Sequence, residues 1–186
     1  MNVCLLDLSK AFDKMNHYAM YIKLMSRLIP VQVLRVFKNW FSLCLSCVKW
    51  GSVKSYFYEV ETGIKQGGVL SPFLFGIFID DLVKLVNKAN VGCKMGTNCA
   101  SIFLYADDVI LLAPSVHALL QLLVNICDCK LKFLDMAINA RKSSRMRFGP
   151  RHKSACADVS VSGFVISWTT SSRYLGVYLE TSLIHS

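Results

Sequence analysis

The stretch "FLYADDVILLA", Phe103 to Ala113, sets two adjacent aspartates inside an apolar run. A buried carboxylate is unfavourable unless a cation or hydrogen-bond donors compensate it. Apolar residues flank Asp107 and Asp108 on both sides, so the segment reads as strand, tight turn, strand, with the acids at the turn. A metal ion, a basic side chain or water are the three possible companions for that pair.

The surrounding sequence supplies more elements of the same sheet. "VCLLDL" near the N-terminus reads as a short buried strand ending at Asp7. Helical spacing follows, with Ala19, Ile22, Leu24 and Leu28 recurring before Pro30, and "VQVLRVFKNWFSLCL" predicts a second helix. "CVKW" and "SYFYEVE", separated by "GSVK", predict a hairpin. Ser71-Pro72 predicts an N-cap with proline at the first helical position, opening the apolar, central helix "FLFGIFIDDLVKLV". Ser115 predicts the cap of a long helix bearing Leu119, Leu120, Leu123, Ile126, Cys127, Leu131 and Leu134. "RMRF", "DVSVSGFVIS" and "RYLGVYL" alternate like antiparallel strands. Helices and antiparallel strands mix without a βαβα rhythm, so the fold class is α+β.

Composition bounds the rest. At 186 residues, 54% hydrophobic and 18% charged, the chain reads as one domain, residues 1–186, with a real core and little disorder. Asp-Asp pairs interrupt both of the longest apolar stretches, so neither predicts a membrane span. The N-terminus lacks the basic start and cleavage site of a signal peptide, so the expected setting is intracellular, in nucleus and/or cytoplasm. The surplus of apolar residues also suggests an interface that a neighbouring domain would cover. Eight cysteines form no regular framework, and the lone Cys44-x-x-Cys47 has no second pair to complete a zinc site, so reduced core cysteines are expected. The net charge is +9, with six Lys or Arg and no acid from Arg141 to Lys153. That run suits either a solvated face or a phosphate-backbone contact.

If Asp7 and the Asp107-Asp108 turn are neighbours in one sheet, three carboxylates converge and raise one another's pKa values. Oxygen-seeking divalent cations relieve such repulsion, and a pair of them can clamp both oxygens of a phosphoryl transfer. An exposed Asp-Asp turn is the plain alternative.

In order along the chain, "LLDLSKAFDKMNH", "GIKQGGVLSPFLFGIFIDDL" and "FLYADDVILLA" resemble three motifs of reverse transcriptases, in particular those of non-LTR (LINE-like) retrotransposons. The resemblance covers Val3 to about Leu179. It implies a polymerase palm, a ferredoxin-like antiparallel sheet backed by helices, and an RNA-directed DNA polymerase that adds dNTP units to a DNA primer on an RNA template. It implies Asp7 and Asp107 as principal ligands of two Mg²⁺ ions, with Mn²⁺ as substitute, Asp108 as third acid and the Leu8 carbonyl as a further ligand. Phe12 matches the gate against the nucleotide 2′-hydroxyl, and Gln66, Gly67 and Gly68 match the loop that meets nucleotide and template. Asp80 and Asp81 also belong to the family pattern but, on a helix, read as structural or solvated rather than as metal ligands. "INARKSSRMRF" resembles the later palm motif, which makes Lys142 a candidate proton donor to pyrophosphate. "RYLGVYL" resembles the primer-holding strand pair, with Tyr174, Leu175 and Gly176 at its centre. Family members carry fingers upstream and a thumb downstream, so the expectation is a palm-region piece with both largely missing. The alternative expectation is an inactive retroelement remnant with residual nucleic-acid binding.

Overall fold

The computed structural model describes residues 1–65, 67–149 and 156–181. Gln66 lies outside the described residues, as do Arg151 and Lys153 of the basic run. The chain divides into two compact units, one of Met1–Lys10 with Ile79–Ser186, the other of Ala11–Phe78.

The first unit is built on a six-stranded sheet. Its centre is β1 (Asn2–Ser9), whose residues are nearly all buried, as a strand covered on both faces requires. The hairpin β2 (Ile102–Tyr105) and β3 (Asp108–Ala113) lies on one side of β1, with β3 adjacent. On the other side lie β4 (Ala137–Ile138), β5 (Ser144–Arg147) and β6 (Ser167–Trp168), the last pairing with β5. Pairing is antiparallel except between β5 and β6, where Ser144 meets Ser167 and Arg145 meets Trp168 in parallel. The alternation in "DVSVSGFVIS" predicts antiparallel pairing only; Ser160–Val161 and Phe164–Val165 do form such a hairpin, which turns the chain so that Ser167–Trp168 arrives running the other way.

Side chains alternate across β1. Val3 and Leu5 join Ile110 and Met146 on one face, where Leu112, Phe148, Tyr174 and Leu179 pack against them. Tyr174 and Leu179 come from the hairpin β7 (Ser171–Tyr174) and β8 (Val177–Glu180), whose turn is Leu175-Gly176, both at positive φ. The helical segment 116–133 packs on the sheet as well. Ser115 caps it, its Oγ accepting from the Ala118 N–H at 3.1 Å. The segment is α-helical at Val116–Leu120 and Cys129–Phe133 and π-helical between them. Leu119, Leu123, Cys127, Leu131 and Leu134 are buried as their spacing predicts, whereas Cys129 is exposed.

The second unit holds α1 (His17–Ser26), α2 (Val31–Ser42) and two short strand pairs. Asn16 caps α1 by accepting from the Ala19 N–H at 3.0 Å. Leu24 is buried in α1, but Ile22 and Leu28 are exposed, and Leu28 has left the helix at positive φ. Helical spacing alone therefore overstates the apolar stripe. The second helix stops at Ser42, and Leu45 joins a strand instead. The hairpin turn is only Gly51-Ser52, with Val53–Lys54 already in the returning strand. α3 (Ser71–Ala89) begins in this unit and continues past Phe78, burying Leu74, Phe75, Phe78, Ile79, Leu82 and Val86. Ser71 is its first residue rather than its cap; the hydroxyl donates to the Lys65 carbonyl at 2.6 Å. No disulfide joins any of the eight cysteines, all of which are described residues, and burial pushes the Cys4 thiol up to about 12.

Candidate active site

The acids of the first unit meet through strand register. In the antiparallel pair of β1 and β3, Asp7 stands directly opposite Asp108. Directly opposed residues share a face, so both carboxylates lie on the face that carries Val3 and Leu5. Tyr105 pairs with Asp108, which leaves Ala106-Asp107 as a two-residue turn. Ala106 adopts φ of +51°, a conformation glycine would take without strain. Asp107 is exposed, and Asp7 and Asp108 are half-buried. Burial, then the neighbouring Asp107 and Asp7 charges, hold the Asp108 carboxyl above its ordinary value.

The backbone of Asp7 is gripped on its other edge by the turn 139–143. Asn139 N–H donates to the Asp7 carbonyl at 2.9 Å, and Asp7 N–H donates to Ser143 Oγ at 3.1 Å. Ser143 in turn donates to the Asn139 carbonyl at 2.8 Å. This clamp sets Lys142, one residue before Ser143, beside the acids. A cleft of about 160 Å³ is lined by Asp7, Asp108, Lys142, Ser144, Arg173 and Tyr174, among others. Burial, then the Asp108 charge, raises the Tyr174 hydroxyl above its usual value. Leu175 and Gly176 form the turn beyond Tyr174.

Leu8 is buried, its side chain on the opposite face from Asp7. Among the described residues no three acidic, histidine or cysteine side chains form a ready metal-binding group. The donor chemistry nonetheless fits a hard cation: oxygen ligands only, mutually repelling, at the open end of a sheet.

Phe12, Gly67 and Gly68 lie in the second unit. Phe12 is half-buried, its ring 5.0 Å from that of Phe75 at 37°. Gly67 has a φ of +79°, and a Cβ on Gly68 would come within 2.7 Å of Ser71 Oγ. Asp80 and Asp81, on α3 in the first unit, have ion pairs, to Lys84 at 2.6 Å and Lys130 at 4.0 Å.

Two arrangements have no signal in the amino-acid order. Ser143 sits in a basic run where nothing marks its hydroxyl as a backbone clamp. Arg145 of the same run is fully buried rather than solvated, with Cys4 as its register partner on β1. Its guanidinium lies 4.4 Å from the Trp168 ring centre and 3.6 Å from Asp158, and donates to the Ala157 carbonyl at 3.3 Å.

Residues 2–179 match the reverse transcriptase (RNA-dependent DNA polymerase) family. The chain belongs to that family. It is 30% identical, over 97% of its length, to the RNA-directed DNA polymerase from mobile element jockey of Drosophila funebris, of which it covers 20%. It is 26% identical, over 92% of its length, to the Pol polyprotein of retrotransposable element R2DM of Drosophila melanogaster, of which it covers 17%. These relatives are retrotransposon polymerases of the kind the motifs resemble, and the chain spans about a fifth of their length. In fold it is similar to apo telomerase from Candida tropicalis, with a TM-score of 0.67 at 15% identity, over 97% of this chain and 34% of that one. The α+β reverse transcriptase architecture is thus present. Among the described residues no helix is long and apolar enough to cross a membrane.

Proposed function

We propose that residues 1–186 form the palm region of an RNA-directed DNA polymerase that transfers a nucleotidyl group from a dNTP to a primer 3′-hydroxyl on an RNA template. The observation that carries this reading is Asp7 standing directly opposite Asp108, with Asp107 on the adjoining turn. Asp7 and Asp107 would hold the divalent ions, Mg²⁺ or Mn²⁺, with Asp108 as third acid and the Leu8 carbonyl as a further ligand. When bound, such ions stabilise charge on attacking and leaving oxygens of an in-line displacement.

The chain's own residues do the positioning. The Asn139–Ser143 clamp fixes the Asp7 backbone, so the carboxylate projects from a strand that cannot slide. Lys142 borders the acids, where an ammonium group offers a proton to departing pyrophosphate. Tyr174, anchored in the apolar cluster, presents the β7–β8 turn with Leu175 and Gly176 to the primer end. Phe12 gates the sugar, and Gln66, Gly67 and Gly68 meet the incoming nucleotide.

The test is a Mn²⁺ titration of the chain, read by water-proton relaxation, beside primer extension on an RNA template. Asp7→Asn and Asp107→Asn are expected to remove Mn²⁺ uptake, and any extension with it. Uptake that survives both substitutions would overturn the assignment.

A further inference from the structure

His17 closes the motif "LLDLSKAFDKMNH" and is buried at the first position of α1. Its ring stacks on Phe41 of α2, the centres 4.4 Å apart at 22°. At the ring edge, Nε2 lies 2.6 Å from the Gly63 carbonyl. A carbonyl only accepts, so Nε2 carries the hydrogen and is the donor. Face and edge together hold the imidazole in one orientation.

Gly63, 46 residues further along the chain, docks on the backbone that precedes His17. Its N–H donates to the Met15 carbonyl at 2.8 Å, and the Ile64 N–H donates to the Phe12 carbonyl at 2.9 Å. Gly63 has a φ of +86°, and a Cβ there would stand 2.7 Å from the Asp13 carbonyl oxygen, so the two backbones touch with no room for a side chain. The Gly63 carbonyl and the Ile64 N–H belong to one planar peptide group. His17 grips one end of that plane and the Phe12 carbonyl the other. Beyond it, the Lys65 carbonyl accepts from the Gly68 N–H at 3.1 Å and from the Ser71 hydroxyl at 2.6 Å, and the Phe12 ring packs on Phe75. Residues 12–17, 63–65 and 68–75 thus close a ring of contacts, with the Gly63–Ile64 peptide as its middle link. A buried carbonyl stripped of its donor is unfavourable, and turning this peptide to relieve it would break the bond to Phe12.

We propose that His17 is a positioning residue for sugar selection: it pins the Gly63–Ile64 peptide and so fixes the spacing between Phe12 and the Gly67-Gly68 loop. This role rests on Phe12 being the sugar gate and the loop the nucleotide contact, as the polymerase reading has them. A wall rejects one extra hydroxyl only while it cannot retreat, so selectivity is lost when the wall loosens, before the fold is. A histidine that merely fills the core would serve by volume; here the N–H donor is what counts.

The experiment displaces a fluorescent dNTP analogue from the full chain in Mn²⁺, with unlabelled dNTP or rNTP as competitor, and reads the preference for the deoxy sugar. His17→Phe keeps a ring on Phe41 and loses the donor; His17→Gln loses the ring and keeps an N–H for Gly63. His17→Phe is expected to lower the preference about tenfold, a fraction of what a misplacement of about 1 Å costs, and His17→Gln to keep most of it. Thr62→Val removes the neighbouring bond from Thr62 Oγ1 to the Asp13 carbonyl, 3.2 Å, and spares the pinned peptide, so its preference should match wild type. In hydrogen exchange the Gly63 and Ile64 amides should open about tenfold more often in His17→Phe, with the later turns of α1 unchanged. Equal loss of preference in His17→Phe and His17→Gln, or in Thr62→Val, would overturn the proposal. So would an Ile64 amide that keeps its wild-type protection in His17→Phe. Failure of the polymerase reading looks different: the wild-type chain then shows no deoxy preference, and the sugar role falls with it, while the exchange pattern persists. A wild-type preference that His17→Phe leaves unmoved sinks the role of His17 alone.

Discussion

Asp108 and Arg145 are charged residues on the two strands that flank β1, and the sheet treats them in opposite ways. Asp108 faces a second carboxylate, Asp7, at the strand end, where its register partners include no cation. Arg145 sits at mid-strand, fully buried, with an aromatic face, a carbonyl and a carboxylate gathered around it. Burial lowers the Arg145 guanidinium from its ordinary value, while Cys4 and Asp158 oppose that shift. A charge surrounded by its own compensation holds structure. A charge set beside its like, at an open cleft, is available to a ligand. The compensation of Arg145 is itself incomplete, since among the described residues its Nε and Nη2 and the indole nitrogen of Trp168 find no hydrogen-bond acceptor.

The largest effect expected from breaking this contrast is at Arg145. Arg145→Ala empties a fully enclosed site and should cost about 3 kcal/mol in denaturant unfolding. Arg145→Met keeps the volume and removes the unpaired polar atoms, so it should stay within about 1.5 kcal/mol of wild type or exceed it. Equal losses for the two would show that the charge, and not the filling, does the stabilising.

Ser143→Ala comes next. It leaves the Asp7 N–H without that partner in a half-buried setting, a loss of about 1 kcal/mol. Hydrogen exchange should show the Asp7 amide deprotected more than those of Val3 or Leu5. Uniform deprotection of β1 would mean the clamp is ordinary packing.

The smallest effect belongs to Asp108. Its folded carboxyl lies above the unfolded value, so the folded state binds the proton more tightly between those two values. Stability is therefore highest below the unfolded value, falls as pH rises through the folded one, and stays lowered at neutral pH. Asp108→Asn should remove that slope, gaining about half a kcal/mol or less at neutral pH because solvent screens a group that is only half-buried. The gain should vanish in acid. Millimolar Mg²⁺ should flatten the wild-type slope in the same way; a wild-type slope that ignores Mg²⁺ would count against a cation between the acids.

Much of this is legible in the amino-acid order because it rests on local patterns. The period of "FLYADDVILLA" places the turn within one residue of where it falls, at Ala106-Asp107 with Asp108 already in the returning strand, and the cap at Ser115 follows from chemistry within a few residues. The pairing of Asp7 with Asp108 needs two segments about a hundred residues apart, and only the family resemblance joins them. Arg145 is illegible for a related reason. Its neighbours in "RKSSRMRF" suggest solvent, but strand alternation turns it inward, and Trp168 arrives from a parallel strand that no local pattern announces. Leu28 misleads in the opposite direction, since helical spacing cannot say where a helix unwinds.

The turn at Ala106 has a consequence for motion. An L-residue held in the left-handed region stores about 1 to 2 kcal/mol, and that energy is released when the hairpin mouth opens. The β2–β3 ladder should therefore breathe from its acidic end, with amides near Tyr105 and Asp108 exchanging sooner than those of Ile110 and Leu111. A ligand that bridges the aspartates only in the closed hairpin lowers the frequency of that opening in proportion to its occupancy. Occupancy of the cleft would then be written in the exchange rates of the turn.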